Sequence, residues 1–166
     1  MTSGLALLFR PQPATLAALP VEHVLETMRP LPCEPVAGAP SFVAGAAVIR
    51  GYPTPIVDVG TLLGAPGHTQ AARWISIKVA ARAVALAVAE VIGVRRLADV
   101  CAEGAMPPLL TSAAHGAVSS LSVLDGELLV VLEAARLVSD EVWTALGEAR
   151  SKPESGGAEV EVRDGR

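Results

Sequence analysis

The sequence predicts an all-β chain made of two related units. Fifteen glycines and 13 prolines punctuate the 166 residues, most densely in the first half, where they leave little room for helices. Between the breaks lie short apolar or alternating runs of strand length. An internal repeat then ties the first half of the chain to the second.

Taken in order, Leu5–Phe9 and Leu16–Val21 are apolar strands separated by a Pro11-Gln12-Pro13 turn. Glu22 to Glu26 forms either one or two helical turns, with Val21, Val24 and Leu25 on one face, or the end of a strand. Pro30, Pro32, Pro35, Gly38, Pro40 and Gly45 exclude a helix from Arg29 to Gly45, and Pro53 and Pro55 do the same from Gly51 to Pro55. From Trp74 to Val94, Ile75, Ile77 and Val79 alternate, as do Val84, Leu86 and Val88, with Ala80-Ala81-Arg82 breaking the phase. The rival reading is one Ala-rich helix, since Ala is the best helix former. β-Branched residues at period two favour two strands and a tight turn, whose alanine face must pack closely or be thinly covered. Leu121–Leu124 and Leu128–Leu132 flank Asp125-Gly126, a pair suited to the positive φ angles of a hairpin turn. Ser139 is a good N-cap for a helix over 140–150, with Asp140 and Glu141 complementing the helix dipole. Val142, Leu146 and Ala149 share one face of it, with Trp143 beside them. Residues 151–166 are polar, aperiodic and Gly-containing, and read as a disordered tail.

The repeat has two parts. Ala18, Leu19, Val21 and Val24 recur, in the same spacing, as Ala85, Leu86, Val88 and Val91. Gly51, Ile56, Val57, Asp58 and Leu62 recur as Gly126, Val131, Leu132, Glu133 and Leu137. The matches keep their order and have nearly equal offsets. They imply two β units of about 65 residues, each marginal alone, packed with a groove at the seam.

The composition removes several functional classes. With 51% hydrophobic residues and a net charge of −4, most of the chain is not disordered. Thirteen Lys+Arg against 17 Asp+Glu, with two Trp, one Tyr and two Phe, make neither a basic nucleic-acid surface nor a base-stacking platform. A membrane span needs about 20 apolar residues; the uncharged run Pro35 to Ile49 is shorter and broken by Pro and Gly. Met1 to Arg10 lacks the basic and apolar regions of a signal peptide, which points to the cytoplasm. Cys33 and Cys101 form no CxxC and have no nearby histidine, so they read as reduced, part-buried small hydrophobes. His23, His68 and His115 are far apart, which suits surface positions and turns rather than a metal site. No GxSxG, HExxH, GxxxxGK[ST] or GxGxxG occurs. Glu22, Glu26, Asp58 and Glu90 are carboxylates of solvated faces and strand ends unless the fold brings them together. A binding module with exposed edges and apolar patches therefore fits better than an enzyme. A small-ligand-binding or enzymatic β-barrel would need a deep polar pocket at the seam.

Several segments, in order, resemble one family. Leu19-Pro20-Val21-Glu22-His23-Val24-Leu25-Glu26 resembles an apolar strand running into V-x-E. Pro40-Ser41-Phe42-Val43-Ala44-Gly45 resembles P-x-F-[IV]-x-G, and Val48-Ile49-Arg50-Gly51 resembles N-L-R-G. Pro55-Ile56-Val57-Asp58-Val59 resembles P-[VI]-[VI]-D-L, and Val88-Ala89-Glu90-Val91 resembles V-D-E-V. Asp125-Gly126 sits where the family has its last hairpin. The family is the CheW-like domain, the coupling protein of bacterial chemotaxis, and the resemblance spans about Leu5 to Leu146.

The resemblance implies two SH3-like, five-stranded β-barrels side by side in a single domain over 1–150. Subdomain 1 would cover about 11–68 and subdomain 2 about 69–138, with the N-terminal strand shared. It implies a non-catalytic adaptor without cofactor or metal. Its partners would be the regulatory domain of a CheA-type histidine kinase and the cytoplasmic tip of a methyl-accepting chemotaxis receptor, with recruitment to membrane receptor arrays. By position it assigns partner binding to Arg50, Val24, Glu26 and Gly45. Arg50 is the leading candidate, because a guanidinium binds carboxylates or carbonyls bidentately; the structural alternative is an ion pair, for instance with Asp58. Val48-Ile49, Ala89, Ser120, Glu133 and Pro11-Gln12-Pro13 depart from the family pattern. Such a divergent member could instead serve a chemotaxis-like system controlling motility, development or gene expression, with only one partner contact kept.

Overall fold

The computed structural model describes residues 4–68, 70–100 and 116–144. Cys101, His115, Leu146, Ala149 and the expected tail lie outside them. The described residues form ten strands: β1 (Leu5–Arg10), β2 (Leu16–Pro20), β3 (Val24–Met28), β4 (Val43–Ile49), β5 (Tyr52–Asp58), β6 (Arg73–Val79), β7 (Arg82–Val88), β8 (Glu90–Arg96), β9 (Val118–Leu124) and β10 (Glu127–Leu132). Three short helices accompany them: α1 (Val59–Leu62), α2 (Leu97–Val100) and α3 (140–144). The strands make two five-stranded sheets, β8-β1-β2-β10-β9 and β3-β6-β7-β5-β4. This is the all-β architecture expected.

The stretch around residue 80 is a hairpin, not a helix: β6 and β7 pair antiparallel from Arg73↔Val88 to Val79↔Arg82. Both its faces are covered, which explains its composition. Ile75, Ile77, Val84, Leu86 and Val88 face a core shared by the two sheets, where they join Phe9 and Leu19 of the other sheet. Ala85 and Ala87 face inward on the second sheet with Ile56 and Trp74, where small side chains permit tight curvature. The first sheet has its own inner cluster of Ala6, Leu8, Leu16, Ala18, Leu129 and Val131. Central strands covered on both sides read as nearly continuous apolar runs.

The repeat is realised strand by strand. Ala18 of the first half pairs in parallel with Val131 of the second. Their counterparts in the repeat, Ala85 and Ile56, pair in parallel with each other in the same way. The β-bulges repeat as well. The extra residue Leu25 opposite β6 corresponds to Ile92 opposite β1, and Ala44 opposite β5 corresponds to Ser119 opposite β10.

Sheet membership does not follow the 68/69 division. β1 and β2 lie with β8, β9 and β10, while β3, β4 and β5 lie with β6 and β7. Each half of the chain therefore lends strands to both sheets. The exchange goes beyond a shared N-terminal strand, because β2 binds β10 in parallel.

Of the two readings of Glu22 to Glu26, the strand holds from Val24: residues 21–23 form one 3-10 turn, after which the chain extends as β3, so Leu25 is exposed rather than on a helical face with Val21 and Val24. One further expectation is corrected. Cys33 is exposed rather than part-buried, because residues 31–35 run over the outside of β4 with a single bridge, Glu34↔Ala46.

Candidate partner-binding site

The β4–β5 hairpin carries the first candidate. Ile49 pairs with Tyr52, leaving a two-residue turn of Arg50 (φ 51°) and Gly51 (φ 82°). Positive φ at both positions is the hairpin geometry that matches strand twist. The equivalent turn in the repeat is Asp125 (φ 51°) and Gly126 (φ 81°).

Arg50 meets Glu26, not Asp58. Its Nε and Nη2 donate to the two Glu26 carboxylate oxygens, each at 2.7 Å. These bonds hold the Glu26 carboxyl below the usual carboxylate range and push the guanidinium higher still. Asp58 is buried and committed elsewhere: its Oδ1 accepts from the Thr61 backbone at 3.1 Å, capping α1, and its Oδ2 lies 3.4 Å from His68 Nδ1.

The bulge at Leu25 decides what β3 presents. Val24 pairs with Ile77 and Glu26 with Ser76. Ile77 and Ser76 are consecutive and face opposite ways, so Val24 and Glu26 also face opposite ways. Val24 is half-buried against the shared core, while Glu26 faces the mouth of the second sheet. Leu25 takes the exposed place instead, at 55% exposure.

Gly45 is buried, and its location is a crossing point. A Cβ there would overlap the Glu34 carbonyl oxygen and lie 2.8 Å from Cys33 Sγ. Its absent side chain lets residues 33–34 lie flat on β4. Although Cys33 is exposed as a residue, contact with β4 shields its Sγ in part from water, and this desolvation, then the Glu34 carboxylate, pushes the thiol up and lowers its thiolate fraction.

Glu26 and Arg50 stand at a groove of about 840 Å³. Leu25, Ile49, Tyr52, Pro53 and Ala83 supply apolar lining, with Thr54 and Ser76 buried beneath. The pair spans from β3, one edge of the sheet, to the turn beside β4, the other edge. Arg82 at the start of β7 and Trp143 of α3 also line the groove, with the guanidinium carbon 4.7 Å from the ring centroid. Sequence reading missed Leu25, Tyr52, Arg82 and Trp143 as groove residues. The only signal was Arg82 in the turn that breaks the alternation; where α3 docks is a tertiary fact.

A second bidentate pair lies away from the groove. Arg10 Nη1 and Nη2 bind the Glu127 oxygens at 2.6 and 2.9 Å, tying β1 to β10 across β2. Among the described residues, no group of three or more His, Cys, Asp or Glu side chains could hold a metal ion. No helix among them is long and apolar enough to cross a membrane.

The groove thus offers an apolar rim over buried Thr54 and Ser76, one bidentate ion pair and one stacked guanidinium. A family model described as CheW-like domain matches residues 6–142. Among solved structures, the crystal structure of the scaffolding protein TtCheW from Thermoanaerobacter tengcongensis superposes with a TM-score of 0.67 at 19% sequence identity. The match covers 81% of this chain and 92% of that one. No curated protein matches.

Proposed function

The chain belongs to the CheW-like domain family, and we propose that it is a non-catalytic scaffold of chemotaxis signalling that couples a CheA-type histidine kinase to methyl-accepting chemotaxis receptors. The kinase contributes its regulatory domain and the receptor its cytoplasmic hairpin tip, and the adaptor works in the cytoplasm, at receptor arrays. The observation that carries this reading is the Arg50–Glu26 pair. The two residues come from separate strands, yet the fold joins them at one exposed groove. Arg50 sits on a tight turn with its side chain 76% exposed, within reach of a partner docked at the groove. Gly45 and Val24 do not line the groove: Gly45 packs against residues 33–34 and Val24 against the shared core.

The test is a pair of binding titrations, one with the regulatory domain of a CheA homologue and one with a receptor tip fragment. The chain binds both, and Arg50→Ala weakens at least one without unfolding the protein. Binding to one alone would make it a single-contact adaptor; binding to neither by a folded protein would refute the coupling role.

A further inference from the structure

We propose that Arg82, laid against Trp143, is a second carboxylate-reading residue of the groove, and that the groove takes an amphipathic helix carrying an acidic side chain beside its apolar stripe. This rests on the coupling reading above and specifies the chemistry of the receptor segment.

Charge comes first. Among the described residues, three charged side chains line the groove: Glu26, Arg50 and Arg82. Both Glu26 oxygens are taken by Arg50. Arg82 has no carboxylate partner among the described residues and leans on the Trp143 ring instead. Among the described residues the groove therefore carries one guanidinium in excess. A guanidinium over a ring face is oriented by that contact while keeping in-plane N–H donors for an acceptor, which prepares it for bidentate capture of a carboxylate.

Shape comes next. An added β-strand is disfavoured at both edges of this sheet. β3 is interrupted by the bulge at Leu25, and β4 is already bridged by Glu34. A partner must then be read through side chains. Leu25 and Tyr52, 55% and 71% exposed, flank the groove with Pro53 and offer the apolar contacts a helix face needs. The charge excess places the helix's acidic residue at Arg82 rather than at the neutralised Arg50–Glu26 pair.

The test uses the full chain and a receptor tip hairpin fragment, with affinity measured by calorimetry for wild type, Arg82→Gln, Arg82→Lys and Arg50→Ala. Arg82→Gln weakens binding by about tenfold or more and flattens its salt dependence, while its melting temperature stays near wild type. Arg82→Lys recovers only part of the affinity, because the planar fork is lost. Acidic residues of the tip are then changed to amides one at a time. One such change weakens wild type to the same degree and adds nothing to Arg82→Gln. The proposal is overturned if Arg82→Gln binds like wild type while Arg50→Ala does not, or if every tip change adds fully to Arg82→Gln. If wild type binds no tip fragment, the coupling reading fails and this proposal falls with it.

Discussion

Gly45 and Arg50 both lie on family motifs, and their surroundings give them different work. At Gly45 the space a side chain would need is filled by the Glu34 carbonyl, and the backbone is at φ 150°. Gly45→Ala is expected to cost about 1–3 kcal/mol, read as a lower denaturant midpoint. Arg50→Ala removes an exposed pair screened by water, so its effect appears in partner binding and hardly in the denaturant midpoint. The sequence displays the glycine; it does not display the neighbouring chain that makes glycine necessary. For the same reason Arg50 could be matched to a motif while its partner could not. Glu26 lies 24 positions away and Asp58 only eight, and the nearer carboxylate is turned inward to cap α1. The less exposed pair, Arg10–Glu127, gives a pH signature. Arg10 holds the Glu127 carboxyl below its ordinary value. A depressed folded-state value means the pair's stabilisation is present at neutral pH and lost as pH falls through that value, below the usual carboxylate range. The gap in denaturant midpoint between wild type and Arg10→Ala should therefore be open at pH 7 and close in acid. A gap unchanged between pH 7 and pH 2 would contradict the assignment.

Among the elements, hairpins were the most legible. Alternation on both sides of Ala80-Ala81, and the Asp125-Gly126 turn pair between two apolar runs, identify four strands directly, because side-chain period and turn chemistry are local properties. Ala80 nevertheless sits at φ 53°, where a Cβ is strained. Ala80→Gly is expected to stabilise the β6–β7 hairpin by about 0.5–1 kcal/mol, visible as a raised melting temperature; a lowered one would show that the turn gains nothing from glycine. The bulges were not legible. Leu25 is an extra residue only relative to β6, so the opposite orientations of Val24 and Glu26 depend on pairing with a strand far along the chain. The repeat does carry the trace of it, since Ile92 is bulged in the same way.

At the scale of the whole molecule, the repeat was readable but the exchange of strands was not. The repeat follows from residue identity, as in Ala18-Leu19 against Ala85-Leu86. The choice of sheet for β1 and β2 follows instead from burying Phe9 and Leu19 against Ile75 and Leu86 in one shared core. Residues 1–68 and 69–150, made separately, are each expected to lack cooperative unfolding, since neither contains all five strands of a sheet. Mixed, they should regain it. A folded, cooperatively melting 69–150 fragment would contradict the exchange. The role assigned to this assembly is coupling, and coupling is tested most directly by reconstitution. Autophosphorylation of a CheA homologue is measured with receptor tip assemblies, with and without this chain. Receptor control of the kinase should appear only when the chain is present, and Arg50→Ala should diminish it. Receptor control of equal size without the chain, or none with the folded chain present, would contradict the account.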